Sequence, residues 1–270
     1  MGIIAGLGAV AFRAMIAGIH NLAFLGEWSL TYDANQHTPA GPWGLWIILV
    51  PVIGALVVAF LVQKFAPEAK GHGVPEVDDA IYYGRGIIRP VVALAKALAS
   101  SVSIGTGASV GREGPIIQIG AAFGSTLGQW VRMHEWQRTT LVGCGVAGAI
   151  AATFNTPLGG LLFAIELTLP ESSARTLIPV ALATGAATFV GRLFFGIRPA
   201  FDIPEMAHPA IHLMAAENLV VYIGFGIVIG LVALVFIRAI YAFEDLFDAL
   251  PGNYYTRHAL GMALVGCLMY

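Results

Sequence analysis

The chain has 270 residues, of which 57% are hydrophobic and only 11% are charged, and its formal net charge at pH 7 is −2. Soluble domains carry about 25% charged residues, so this composition excludes an ordinary soluble domain and indicates a membrane protein. The charge gives no basic surface for nucleic acid, and the two cysteines have no metal-site spacing, so we expect no nucleic-acid partner, metal or cofactor.

Several apolar runs have the length of about 20 residues that a membrane-spanning helix needs. The first of them contains Arg13 and no clear cleavage site, so a transmembrane segment is favoured over a secretory signal. The predicted fold class is therefore all-α, a polytopic transmembrane helical protein. The predicted spans are 3–25, 43–63, 140–165, 176–196 and 217–238, with a sixth that begins near residue 258.

Lysine and arginine in the short loops predict the orientation of these spans, because cytoplasmic loops are enriched in both residues. Loop 26–42 has neither, whereas 64–90 and 132–139 contain several. We therefore expect 26–42 to lie outside and the other two stretches to lie in the cytoplasm.

Two apolar pieces between these cytoplasmic stretches, 91–106 and 115–131, are too short to cross a membrane comfortably. Glycines are concentrated at the break between them. The chain leaves and re-enters the cytoplasm over this interval, so the pattern predicts two re-entrant half-helices that meet inside the bilayer. Non-helical backbone at that depth survives only where protein or a water-filled cavity surrounds it.

The stretch SVGREGPIIQIGAAFG, residues 109–124, places the carboxylate of Glu113 at this break. Pro115 suits the first turn of a helix, where a missing N–H loses no helical partner. The N–H groups near Gly114 and the positive end of the helix dipole then form a site for an anion. A charged Glu113 can occupy this site, and a protonated or displaced Glu113 can leave it. Glu113 is therefore predicted to be gate and proton acceptor, with a structural pair to Arg112 as the alternative.

A second stretch, KGHGVPEV at residues 70–77, repeats the pattern of glycine, proline and acid. Pro75 again suits the first turn of a helix, and Glu76 lies where the dipole favours a negative charge. His72 stands between two glycines, where its imidazole or the neighbouring N–H groups can contact an anion. A capped cytoplasmic turn without a ligand is an equally good interpretation of this stretch.

A third stretch, residues 151–171, contains another proline that follows polar residues. Asn155 or Thr156 before Pro157 predicts the start of a helix. Glu166 lies near the end of this stretch, on the predicted cytoplasmic side. The sequence is compatible with a functional role for the Glu166 carboxylate and with a carboxylate that only packs or snorkels.

Together the three stretches resemble the CLC family of chloride channels and chloride/proton exchangers. GHGVPE is similar to the G-S-G-I-P stretch of that family, GREGP matches G-[KR]-E-G-P without change, and FNTPLGGLLFAIE is similar to F-N-x-P-hydrophobic-[AG]-G. The order and spacing also fit. The resemblance implies one half of an inverted-repeat fold, with the first repeat over 1–243 and a linker and truncated start of the second repeat over 244–270.

The resemblance also implies roles for single residues. Glu113 matches the gating glutamate, and His72 replaces the serine that helps to hold the central anion. The inner glutamate that relays protons in exchangers falls at Leu167, next to Glu166, so the chain is predicted to be channel-like. Proton-coupled exchange through Glu166 or a water chain is the alternative. The implied anion-binding residues are Gly71, His72, Gly73, Val74, Pro75, Gly111, Arg112, Gly114 and Pro115.

We therefore expect transmembrane transport of chloride or a similar small anion, with protons as a second transported ion in the exchange alternative, in a multi-pass protein of a prokaryotic inner (plasma) membrane. The family implies a homodimer in the lipid bilayer. The second-repeat motifs have no counterpart here, so the chain is expected to need a complementary half. A non-transporting membrane scaffold is a remote alternative. An intramembrane enzyme is disfavoured, because no recognised set of nucleophile, base or metal accompanies Glu113.

Overall fold

A computed structural model describes residues 1–32, 38–39, 41–67, 71–171, 173–197 and 216–270. They divide into two compact units, Met1–Phe201 with His258–Tyr270, and Asp202–Arg257. The predicted loops 26–42 and 64–90 lie partly outside the described residues, as does Lys70 of the second motif.

The regular elements of the described residues are all helical. They are α1 (Gly2–His20) with a π-helical turn (Asn21–Leu25), a 3-10 turn (Gly44–Ile48) that leads into α2 (Leu49–Phe65), α3 (Val74–Tyr82), α4 (Pro90–Gly105), α5 (Glu113–Trp130), α6 (Glu135–Phe154), α7 (Pro157–Phe163) with a second π-helical turn (Ala164–Thr168), α8 (Ala174–Phe195), α9 (Ala216–Asp248) and α10 (Tyr254–Met269).

Four helical segments in the described part of the chain are long and apolar enough to cross a membrane. They are Gly2–Leu25, Gly44–Phe65, Ala174–Phe195 and Leu219–Asp248. These segments confirm four of the predicted spans. The sixth run, from near residue 258, lies in α10, which reaches Met269, one residue before the last of the sequence.

The predicted span 140–165 is wrong, because the chain breaks within it. Asn155 has the left-handed backbone conformation, with φ +56°, and ends α6 there. Thr156 then caps the next helix by accepting a hydrogen bond from the N–H of Gly159 at 3.2 Å, and Pro157 begins α7. The apolar run is therefore two helices, and the start predicted before Pro157 is confirmed.

The predicted pair of half-helices is present. Helix α4 ends at Gly105 and α5 begins at Glu113, two residues before the predicted start at Pro115. Between them Gly107 has φ +97°, a conformation that side chains with a Cβ rarely adopt. The two helices then pack against each other, so the chain reverses direction at the break.

The core forms around α6, which packs against α1, α5 and α8. Small residues let these helices approach closely, as expected where lipid offers no hydrophobic driving force. A Cβ at Gly120 of α5 would overlap the carbonyl oxygen of Gly145 of α6, and a Cβ at Gly145 would overlap that of Gly120. The crossing of α5 and α6 is therefore a contact between backbones, and it holds the start of α5 in place.

A fully buried hydroxyl, that of Ser125 on α5, ties the connection between α3 and α4 to this core. The Ser125 Oγ donates to the carbonyl of Gly86 at 2.7 Å and accepts from the N–H of Ile88 at 2.8 Å. Gln129 donates to the same Oγ at 2.9 Å and to the carbonyl of Ile88 at 3.1 Å. The three bonds to Gly86 and Ile88 fix the approach of the chain to α4.

Replacing Ser125 with alanine is expected to destabilise the protein by about 1–3 kcal/mol, because the buried N–H of Ile88 loses its acceptor. Thermal unfolding in detergent measures the effect. The matched control is Thr126→Ala, since the Thr126 hydroxyl bonds only within its own helix, to the carbonyl of Ala122 at 2.7 Å. Equal unfolding temperatures for the two variants would contradict the assigned role of Ser125.

Candidate functional site

The N-terminal ends of α3 and α5 meet through their backbones. A Cβ at Gly114 would overlap the carbonyl oxygen of His72 and lie 3.0 Å from its carbonyl carbon. A Cβ at Gly73 would overlap the carbonyl oxygen of Gly114, and Gly73 also has φ +97°. Only glycine fits these two positions without displacing a helix. The structure thus brings the stretches around His72 and Glu113 together, as an anion site shared between them requires.

Both helix starts present backbone donors at this junction. In α5 the first hydrogen bond is the 3.2 Å bond from the N–H of Ile116 to the carbonyl of Arg112. The N–H groups of Glu113 and Gly114 precede it and have no partner within the helix. In α3 the first bond runs from the N–H of Val77 to the carbonyl of Gly73, at 3.3 Å. Two positive dipole ends therefore lie close together, which favours a negative charge between them.

The Glu113 side chain is exposed and folds back over the residues that precede its helix. A Cβ at Gly111 would overlap its Oε2 atom, so the missing side chain of Gly111 makes room for the carboxylate. The neighbouring Arg112 places its guanidinium carbon 5.5 Å from the ring centre of Phe154, at the end of α6. A carboxylate is therefore present at the helix start where an anion is expected to bind.

The loop before α3 is held at both ends. The Glu76 carboxylate accepts a hydrogen bond from the N–H of Gly73 at 2.8 Å. The Lys96 Nζ on α4 donates to the carbonyl of Gly71 at 2.9 Å. His72 lies between these anchors with an exposed side chain. The capping role considered for Glu76 is therefore present, and one of the predicted anion donors, the N–H of Gly73, donates to Glu76 in this structure.

Sequence reasoning did not single out Lys96, although a signal was available. It is the one lysine within the apolar run 91–106, and an ionisable residue in such a run is a functional candidate by default.

The third stretch contributes to the site mainly through Phe154, under Arg112. The Asn155 amide oxygen accepts from the Nε of Arg192 at 2.7 Å, and its amide nitrogen donates to the carbonyl of Ile197 at 2.9 Å. These bonds attach the break between α6 and α7 to the end of α8. Asn155 is therefore a structural anchor near the site.

Glu166 and Leu167 lie together in the π-helical turn that follows α7, and both are exposed. Helix α3 packs against this turn. Asp78 of α3 has one buried oxygen, Oδ1, without a hydrogen-bond partner. Burial, and then the charge of Asp79, raise the pKa of the Asp78 carboxyl. Asp78 is a second titratable residue that the motifs did not indicate.

No group of three or more histidine, cysteine or acidic residues within the described ranges could hold a metal ion. The groups that the structure places at the junction are backbone N–H groups, the Glu113 carboxylate and the charged side chains of Arg112 and Lys96.

Comparison with known proteins matches the fold and these motifs to one family. A sequence profile described as voltage gated chloride channel matches residues 54–270. The H(+)/Cl(-) exchange transporter ClcA of Cronobacter sakazakii is 31% identical, with 98% of this chain and 55% of that protein aligned. The ClcA of Salmonella arizonae is also 31% identical, over 99% of this chain and 55% of the relative. The chain thus spans about half the length of the curated relatives it matches.

Solved structures agree on the fold. A slow cyanobacterial Cl-/H+ antiporter superimposes with a TM-score of 0.83 at 22% identity, covering 99% of this chain and 61% of its own. A CLC-type fluoride/proton antiporter gives a TM-score of 0.78 at 22% identity, covering 99% and 62%. The expectation of an all-helical membrane protein with part of a CLC fold is confirmed. The chain belongs to the voltage gated chloride channel (CLC) family.

Proposed function

We propose that this chain forms the first half of a transmembrane pathway for chloride or a similar small anion, gated by Glu113. The observation that carries the proposal is the backbone contact between Gly73 and Gly114, which brings two helix N-termini to one point beside the Glu113 carboxylate. The names of the curated relatives support chloride as the substrate.

The gate works by competition between two negative charges for one electropositive place. The partial positive charges of the α3 and α5 starts attract either a passing anion or the carboxylate of Glu113. Protonation removes the charge of the carboxylate, so the side chain leaves and an anion enters. Transport therefore increases as the pH falls on the side from which Glu113 receives its proton.

Leu167 supports passive conduction, because an aliphatic side chain cannot relay a proton at the position of the family's inner glutamate. Proton-coupled exchange is the second candidate, favoured by the names of relatives that share 31% identity with this chain. In exchange, Glu166 or a chain of water molecules takes the place of the missing carboxylate.

The remaining assignments follow from the family. We propose that the protein works as a homodimer in a prokaryotic inner membrane, and that it is a transporter without enzymatic activity. The bacterial relatives support the prokaryotic origin. The division into a first repeat at 1–243 and the start of a second at 244–270 stays a prediction, and it implies that a second repeat completes the pathway.

Glu113→Gln tests the gate, because glutamine imitates a permanently protonated carboxyl. Chloride efflux from liposomes that contain the protein is expected to become independent of external pH, at the level that the native protein reaches in acid. Glu135→Gln is the matched control, since the exposed Glu135 carboxylate lies 3.8 Å from Arg85 on another part of the surface. An unchanged pH dependence in Glu113→Gln would reject the gate, and absence of flux from all variants would reject transport by these 270 residues alone.

A further inference from the structure

A buried cation lies directly beneath the loop of the proposed anion site. Lys96 is only 5% exposed, although it belongs to the otherwise apolar helix α4. Removing an ammonium group from water is costly unless hydrogen bonds and an opposite charge compensate for it. Its Nζ donates a hydrogen bond to the carbonyl of Gly71 at 2.9 Å, and Gly71 precedes His72 in that loop.

The loop that Lys96 holds contains two glycines in the conformation that other residues rarely adopt. Gly71 and Gly73 have φ values of +91° and +97°, and glycines in such conformations lose much entropy when they are fixed. The N–H of Gly73 is fixed by Glu76. A Cβ at Gly71 would overlap the Oε1 of the same carboxylate, so Glu76 lies against both glycines. Lys96 supplies the remaining anchor.

The two anchors also act on each other, because the Lys96 ammonium and the Glu76 carboxylate attract. The loop is thus clamped between a positive and a negative group. His72 stands at its centre, and its carbonyl packs against Gly114. A change at Lys96 is therefore transmitted through Gly71 to His72 and to the contact between α3 and α5.

We propose that Lys96 is a positioning residue for anion binding: it holds the Gly71 carbonyl so that His72 and the start of α3 stay against the start of α5, and its charge makes the junction more attractive to an anion. This role rests on the proposed function. A purely structural anchor needs only a hydrogen-bond donor, whereas this role needs the donor and the charge together.

Three substitutions separate the donor from the charge. Lys96→Met removes both, Lys96→Gln keeps a donor without the charge, and Lys96→Arg keeps both. Lys64→Met is the matched control, because Lys64 is exposed at the end of α2, with its Nζ 5.7 Å from the ring centre of Phe60.

Initial chloride flux into liposomes is measured against chloride concentration for each protein. Lys96→Met is expected to raise the KM for chloride about tenfold, the equivalent of about 1.4 kcal/mol, with the maximal rate within about twofold of native. The KM of Lys96→Gln is expected to lie between the native value and that of Lys96→Met. The KM values of Lys96→Arg and Lys64→Met are expected to stay near native.

Several results would overturn the proposal. A native KM in folded Lys96→Met or Lys96→Gln rejects the positioning role and leaves the proposed transport intact. If neither variant elutes as a single folded species in size-exclusion chromatography, Lys96 is required for folding. That result also rejects the positioning role. Absence of chloride flux from the native protein, reconstituted together with the second repeat that completes the pathway, rejects the proposed function and with it this inference.

Discussion

Gly114→Ala is expected to abolish anion transport. The added Cβ would overlap the carbonyl oxygen of His72 and lie 3.0 Å from its carbonyl carbon. Backbone atoms cannot rotate away as a flexible side chain can, so α3 or α5 has to move. The overpacking alone costs about 1–3 kcal/mol, and the displacement separates the two helix starts that together attract the anion.

Chloride flux and thermal unfolding are measured on the same preparation of this variant. The matched control is Gly185→Ala, because Gly185 is also helical, in α8, and nothing lies within 4 Å of its added Cβ. The control is expected to keep native flux and to gain up to about 1 kcal/mol from the better helix propensity of alanine. Native flux in folded Gly114→Ala would show that the backbone contact at the junction is not needed for transport.

The local parts of this site could be predicted from the sequence. Glycine permits backbone conformations that other residues avoid, and proline favours the first turn of a helix. GREGP and GHGVPE therefore predict where α5 and α3 begin to within two residues. The short apolar runs on either side of the glycines predict the half-helices, because each run is too short to cross a membrane. The resemblance to the CLC family relates Glu113 to these stretches, and the profile match confirms the family itself.

The long-range parts could not be predicted in this way. The contact between Gly73 and Gly114, the three hydrogen bonds from Ser125 and Gln129 to Gly86 and Ile88, and the bond from Lys96 to Gly71 join elements that are distant in the sequence. Propensity and periodicity describe one helix at a time, so they do not predict which residues of two helices contact each other.

The wrong span over 140–165 has a different cause. Apolar residues continue on both sides of Asn155, so the hydropathy of the run is that of one membrane helix. The break depends on three consecutive residues: the left-handed Asn155, the cap of Thr156 and the ring of Pro157. An average over about 20 residues conceals such a local signal, although the polar residues before proline predict it correctly when they are considered alone.

Leu167→Glu is expected to convert passive anion flow into proton-coupled exchange. Leu167 is 50% exposed, so the longer side chain of glutamate has room at this position and does not enter the packed core. Leu167 lies in the π-helical turn that packs against α3, and α3 begins at the proposed anion site. A titratable group there supplies the proton acceptor that the resemblance to exchangers requires and that leucine lacks.

The measurement is the pH outside liposomes while a chloride gradient is imposed in the absence of a proton gradient. Chloride movement in Leu167→Glu is expected to drive protons in the opposite direction and so to build up a pH difference, whereas the native chain and Leu167→Gln move chloride alone. The glutamine variant matches glutamate in size and polarity without a titratable proton, so it isolates the role of the carboxyl group. Equal proton movement in all three proteins would show that exchange proceeds without a carboxylate at residue 167. In that case Glu166, or the partly buried Asp78 of the adjacent helix, becomes the residue to substitute next, since both carry a carboxyl group on the elements that meet at this turn.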